Sequence, residues 1–315
     1  MNPCNASPQK SCRRYRKIKV RIFISGAASH LAQALLPKLC AHAEISAVLG
    51  VDLAATSFTH PKFVQHIADI RSAEITRLMH GYDALIHLAF VVLRGKMAAT
   101  IMHDINVQGT CSLFNAARQA GIARLVHLSS AAVYGNGENL DENAVLRPLP
   151  GLLYARHKAQ VETWLEKEHP QAVRLRPHII LGPHCQPLLR KLLRQPCYVT
   201  LDEPQPQLQC VHEDDVAQAI IASLLQAASG PFNLAAPGSY SFKHAIVQRH
   251  TRPLPISFNS AKMGLNLAWR LTGFGGEPAW LDAIRHALTL DCSRAAQVLA
   301  WQPQFDAQAT LASVK

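Results

Sequence analysis

The sequence predicts an α/β protein: a doubly wound parallel sheet followed by a small C-terminal lobe. Three observations carry that prediction. Short apolar runs alternate with longer amphipathic segments five times before residue 168, the pattern of parallel strands joined by helical crossovers. The first run ends in a glycine turn that opens a helix. The second ends in an aspartate about twenty residues further on, a spacing that suits a nucleotide ribose.

The elements follow in order. Residues 1 to 21 hold seven Lys/Arg and no acid, and residues 1–18 read as a disordered basic leader. The formal charge of +11 is therefore uneven, with about +4 left for the rest of the chain. Lys19 to Ile24 reads as a buried strand, and Ser25-Gly26-Ala27-Ala28-Ser29-His30-Leu31-Ala32 as a turn into a helix that runs to about Ala41. A strand, a tight turn and a helix N-terminus can hold a pyrophosphate on backbone amides. The dinucleotide pattern asks for three small residues, met here by Gly26, Ser29 and Ala32; serine at the second place adds a Cβ where phosphate approaches. Ile45 to Val51 is the second strand, and Asp52 at its end can accept both ribose hydroxyls of NAD while repelling a 2′-phosphate. The other reading of Asp52 is a solvent-facing turn residue.

Phe63 to Ile67 is a third strand, leading to Asp69 and Ile70, where an acid can reach an adenine amino group. Ala84 to Ala89 is a fourth, with small Ala89 leaving room for a cofactor and His87 reading as a core histidine. A helix from about Ala98 to Ala120 carries Asn106, unfavourable there unless it has a hydrogen-bonding role. The fifth strand, Leu125 to Ser130, ends in two hydroxyls. Tyr154 and Lys158 then sit four apart on one face of a helix from Tyr154 to Glu168. Such a pair on its own is more often a packed tyrosine with a snorkelling lysine. Beside a serine at a strand end it can form an acid/base site.

Taken together, these stretches resemble the extended short-chain dehydrogenase/reductase superfamily, its NAD-dependent epimerase/dehydratase family. The matching runs are SGAASHLA, VDL, ADI, HLA, NVQGT, LSSAAVYG and YARHK. LRPHIILGP, VHEDDVAQAI, FNLAAPG and DCSRAAQVLAWQP continue them in order over residues 19 to 305. The resemblance implies a Rossmann fold and catalysis by Ser130, Tyr154 and Lys158, with the lysine lowering a tyrosine pKa that is ordinarily about 10. It implies NAD as cofactor, held by Gly26, Ser29, His30, Leu31, Asp52, Asp69, Ile70, Leu88, Ala89 and Asn106 together with Tyr154 and Lys158. Asn106 resembles the family's buried polar helix residue, and its role is read as structural. The acidic pair that follows the catalytic hydroxyl in the 4,6-dehydratases is replaced by Ala131 and Ala132, which disfavours dehydration.

The expected NAD domain covers residues 19–183 and 211–238, with residues 184–210 and 239–315 forming the substrate lobe. In that lobe Arg190, Lys191 and Arg194 either meet an anion or line a surface helix. Trp269, Phe274 and Trp280 are available as apolar walls, and Gly273 to Gly276 is either a loop over the site or a helix terminator.

The expected activity is NAD-dependent oxidoreduction or epimerisation of a hydroxyl or carbonyl on a small or sugar-like substrate. The alternative is a non-catalytic NAD(P)-binding sensor or assembly factor. Eight scattered cysteines, no CxxC pair and no HExxH leave no metal site indicated. The expected setting is cytoplasmic, with no membrane span and no nucleic-acid partner, and the family resemblance implies a homodimer through the helices bearing Asn106 and Tyr154.

Overall fold

The computed structural model describes residues 19–93, 95–226, 228–273 and 277–314. The leader and Phe274 to Gly276 lie outside the described residues. The strands are, in chain order, β1 (Val20–Ser25), β2 (Ile45–Asp52), β3 (Phe63–Ile67), β4 (Ala84–His87) and β5 (Arg124–Leu128). Then come β6 (Gly137–Leu140), β7 (Val173–Pro177), β8 (Ile179–Leu181), β9 (Cys197–Thr200) and β10 (Cys210–His212). The last are β11 (Gly230–Leu234), β12 (Leu254–Ser257) and β13 (Leu288–Leu290). The helices are α1 (His30–Ala41), α2 (Glu74–Met79), α3 (Ala99–His103), α4 (Gly109–Gln119), α5 (Leu153–Glu168) and α6 (Pro187–Arg194). They continue as α7 (Glu213–Leu225), α8 (Phe242–Val247), α9 (Phe258–Thr272), α10 (Ala279–Ala283), α11 (Ser293–Leu299) and α12 (Ala307–Ala312).

Seven strands form one parallel sheet in the order β11-β7-β5-β4-β1-β2-β3. The order reverses between β1 and β4, and ligands of such sheets bind in the crevice that this reversal opens at the carboxyl ends of the strands. Side chains of β1 alternate across the sheet. Ile22 and Ile24 join Leu35, Leu39, Ile220 and Leu224 on the face covered by α1 and α7. Phe23 joins Leu113, Phe114, Val161 and Leu165 under α4 and α5. Both faces are buried, so the strands are apolar runs rather than alternating ones.

The segment expected as one helix from Ala98 to Ala120 is α3 and α4 joined by a π turn, Asp104–Gln108. Asn106 sits in that turn, which widens the helix and frees its backbone locally. The C-terminal segment also departs from the expected partition. Ala295, Leu299 and Trp301 lie in the core of the main sheet. The Trp301 indole donates to the carbonyl of Asp215 at 2.8 Å, and the Asp215 carboxylate accepts from the amides of Gln304 and Phe305. Ala295 and Leu299 are the buried positions of α11, and with Trp301 just beyond it they remove apolar surface from water against α7 and the sheet. The pairs β8–β10, β9–β12 and β6–β13 are all parallel and carry the rest of the lobe.

Candidate active site

The crevice is framed by the turn after β1, the end of β4, the end of β5 and the first turns of α5. Gly26 makes the first part possible. Its φ is +81°, and a Cβ there would stand 2.5 Å from the Ala89 amide nitrogen and 2.8 Å from the Leu88 carbonyl carbon. Only glycine meets both demands. The turn thereby closes onto β4, where the Leu88 amide donates to the Ser25 carbonyl at 3.0 Å. Ser29 has an ordinary φ of −68° and caps α1 by accepting from the Ala32 amide at 3.4 Å, so the backbone itself does not require glycine there. The first-turn amides of His30 and Leu31 open toward the crevice as any helix start does. The Leu31 side chain lies in the core. The His30 pKa is lowered by burial and then by the nearby charge of Arg190, which brings α6 to the edge of this turn.

Asp52 reaches the turn from β2. One carboxylate oxygen accepts from the Ala28 amide at 2.9 Å and the other from Ala54 at 3.2 Å. Asp69 is engaged by Arg71, whose backbone and guanidinium donate to it at 2.6–3.0 Å while the same guanidinium also meets Asp104. These hydrogen bonds hold the Asp69 carboxyl below its ordinary pKa. Ile70 is in the core beside Gly109.

Asn106 acts as a backbone clamp. Its side-chain oxygen accepts from the Val91 amide at 2.7 Å and its nitrogen donates to the Val91 carbonyl at 2.9 Å, fixing the segment that follows β4. Next to it, the Thr110 hydroxyl donates to the Asn106 carbonyl at 2.6 Å. The His87 Nε2 lies 2.8 Å from that hydroxyl oxygen and Nδ1 lies 2.7 Å from the Ser25 hydroxyl. With the Thr110 proton committed, Nε2 must donate and Nδ1 accept. His87 is thus a buried, neutral imidazole with its pKa lowered to about 3 by burial, a core histidine as the sequence suggests.

The catalytic candidates meet at the end of β5. Ser130 caps a short 3-10 turn, Ala131–Val133, by accepting from the Ala132 amide, and its hydroxyl lies near enough to Tyr154 to oppose the rise of the phenol pKa. Lys158, one turn further along α5, is buried; its ammonium donates to the Leu128 carbonyl. That nitrogen sits 3.5 Å from the centre of the Phe90 ring and 5.9 Å from that of Tyr154. The expected lowering of the tyrosine pKa is not found. Burial raises Tyr154 to about 12 against the smaller opposing effect of Ser130, and burial carries Lys158 well below its ordinary value. The ammonium faces the Leu128 carbonyl and a ring face, so desolvation decides both groups.

Several neighbours escape sequence reasoning. Phe90 lies edge-on to Tyr154 with ring centres 5.7 Å apart. Trp280, from α10, lies on the other side at 5.7 Å, and its indole nitrogen is buried without a hydrogen-bond partner among the described residues. Glu162, one turn beyond Lys158, is 1% exposed. It accepts from the Ser129 hydroxyl and is clamped by Arg176 with contacts from 2.5 to 3.0 Å. Arg176 also donates to the Tyr134 hydroxyl at 2.6 Å, and that hydroxyl donates to Asn233 at 2.8 Å. A glutamate four residues after Lys158 was the available signal, since it must share the inward face. Trp280 reads in the sequence only as an apolar wall of the lobe and Phe90 gives no signal, because their partner Tyr154 is far away in sequence.

The model of the NAD dependent epimerase/dehydratase family matches residues 22–235. An uncharacterized protein of Mycobacterium tuberculosis (strain H37Rv) is 25% identical over 257 residues, covering 75% of this chain and 67% of its own. The N-acetyl-alpha-D-glucosaminyl-diphospho-ditrans,octacis-undecaprenol 4-epimerase of Escherichia coli O157:H7 is 28% identical over 182 residues, covering 55% of this chain and 53% of its own. In fold, the chain is similar to the UDP-glucose 4-epimerase of Thermus thermophilus complexed with NAD, with a TM-score of 0.73, 18% identity, and 94% and 97% of the two chains covered.

Proposed function

The chain belongs to the NAD dependent epimerase/dehydratase family, and from that premise we propose that it oxidises or epimerises a hydroxyl-bearing carbon of a sugar-like substrate. Among the described residues no helix is long and apolar enough to cross a membrane. The observation that carries the proposal is the meeting of Ser130, Tyr154 and Lys158 at the carboxyl end of β5, opposite the Gly26 turn.

The residues present fit NAD. Gly26 lets the turn close onto the Leu88–Ala89 backbone where a Cβ would collide, the amides of the first turn of α1 are free of intrahelical partners as at any helix start, and Asp52 stands beside the turn on the Ala28 amide. When bound, NAD supplies the acceptor for the electron pair of the substrate C–H bond. The protein does the rest. Ser130 holds the reacting oxygen beside the phenol, whose pKa it already lowers. Tyr154 takes the hydroxyl proton, and the Lys158 ammonium stabilises the phenolate that accepts it. Phe90 and Trp280 flank the ring, and in this reading the indole N–H of Trp280, unpartnered among the described residues, donates to a second substrate oxygen. Ala131 and Ala132 carry no acid or base, which favours epimerisation or simple oxidation over elimination.

The α5 surface away from the crevice has a groove of about 630 Å³, lined by His103, Arg156, His157 and Gln160 among others. It lies on the helices through which a homodimer would form. The test is isothermal titration with NAD, together with turnover of sugar substrates by wild type and Tyr154→Phe. NAD binding in both with turnover only in wild type supports the proposal. Normal turnover in Tyr154→Phe removes the tyrosine from the mechanism, and NAD binding without turnover on any substrate supports a sensor instead.

A further inference from the structure

Among the described residues, α9 is the least covered long helix. None of its fifteen residues is buried, and its half-buried side, Phe258, Ala261, Leu265 and Trp269, is the side turned to the lobe. The other side carries Met263, Leu267 and Leu271, which are 71%, 59% and 67% exposed. At spacings of four residues these three stand in a row about 12 Å long. Isolated exposed apolar side chains are ordinary, whereas an aligned row marks a contact surface. Leu254, on the strand that leads into α9, is also 60% exposed.

Charge indicates what the row contacts. Residues 241–290 hold six Lys/Arg (Lys243, Arg249, Arg252, Lys262, Arg270, Arg285) against Glu277 and Asp282. The rest of the chain after residue 21 balances at nineteen basic and nineteen acidic residues, so the net charge of that part of the chain lies in this one segment. Asp282 is paired with Lys262 at 2.7 Å, Lys243 with Glu203 at 3.6 Å, and Glu277 is buried, which leaves Arg270 exposed next to Leu271 and Arg252 exposed on the turn before β12. Lys96 adds a cation at the C-terminal end of α9, where it donates to the Leu271 carbonyl at 3.2 Å. An apolar row edged by cations suits the boundary between anionic headgroups and acyl chains. A second copy meeting the same face across a two-fold axis would set these cations against each other.

We propose that α9 is an interfacial helix that seats the small lobe on an anionic lipid surface. The consequence for the site is positional. Lys262 ties α9 to α10, α10 places Trp280 against Tyr154, and Gly273 at the end of α9 rests on Lys96. The element that touches the lipid is therefore tied to the one that walls Tyr154.

The experiment is co-sedimentation of the full chain with vesicles of phosphatidylcholine alone and of phosphatidylcholine with phosphatidylglycerol. The expected result is binding to the anionic vesicles, weakened by salt, and reduced at least tenfold in the Met263→Ser/Leu267→Ser/Leu271→Ser variant with an unchanged melting temperature. Leu267→Glu provides a lighter substitution with the same expected loss. Arg252→Gln/Arg270→Gln is expected to weaken the preference for phosphatidylglycerol. Three results would overturn the proposal: no binding to any vesicle, binding unchanged in these variants but lost on removal of residues 1–18, or a change of oligomeric state in the triple variant. None of these readouts involves turnover, so they stand apart from the assignment of Tyr154.

Discussion

Replacing Lys158 by methionine should stabilise the NAD-free protein while disabling it. The ammonium is buried, and its contacts are the Leu128 carbonyl and the Phe90 ring. A hydrogen bond from a charged donor contributes about 1.5–3 kcal/mol and a desolvated cation on a phenyl face about 0.5–2 kcal/mol. Against them stands the several kcal/mol that it costs to bury an ion. Burial carries the Lys158 pKa well below its ordinary value against the smaller opposing charge of Glu162, so desolvation is the larger effect. Methionine fills similar volume without charge. The net gain should be about 1–3 kcal/mol, or roughly 2–6 °C in Tm for a chain of this size. The sign with pH follows. The burden exists while the lysine is charged in the fold, so the advantage of the variant should shrink as pH rises from the lowered folded pKa toward the ordinary lysine range. Turnover should fall about 10²–10⁴-fold. Differential scanning fluorimetry from pH 6 to pH 10, paired with turnover, checks each part. A variant that melts several degrees lower would show that the lysine is structural and refute the reasoning.

Gly26→Ala forces a positive-φ alanine against the Ala89 backbone at 2.5 Å, and should cost about 2–4 kcal/mol and abolish NAD binding; near-wild-type melting would refute the close approach. Ser29→Gly should melt within about 1 °C of wild type, since glycine is nearly as good a cap, and should bind NAD more tightly by calorimetry. Unchanged affinity would mean that the serine Cβ does not crowd the phosphates. Trp280→Phe keeps the ring and removes the orphan N–H, and should raise KM about 5- to 20-fold with kcat largely retained; an unchanged KM would dismiss the hydrogen bond. His87 and His178 are buried with pKa values lowered to about 3 and about 4. Below pH 6.5 only the unfolded chain protonates them, so stability should fall by about 1.4 kcal/mol per pH unit for each histidine between pH 6 and pH 4.5. Urea midpoints that stay flat over that range would contradict their neutral burial.

What the sequence revealed and what it concealed divide along one physical line. The strands, the turn at Gly26 and the Tyr154–Lys158 face are set by neighbours within a few residues or by a fixed period, and so the chain itself announces them. The π turn at Asn106 was hidden because its cause is distant: the asparagine is held by both backbone groups of Val91, fifteen residues away. α11 was hidden for the same reason, since its partner is α7. The pKa of Tyr154 is the instructive case. A cation four residues away predicted a lowered value, and that inference was sound as far as sequence spacing goes. The structure adds Phe90 and Trp280 on the two flanks of the ring, and enclosure raises the value instead. A tyrosine held neutral by its walls is a poor base until something offsets the desolvation. Lys158 is the charge placed to do so, and its ammonium is turned to the Leu128 carbonyl. In the proposed mechanism, acid/base chemistry would require the Lys158 ammonium to turn from the Leu128 carbonyl toward the phenol, and the aromatic walls that disfavour the phenolate would also strengthen the effect of that charge.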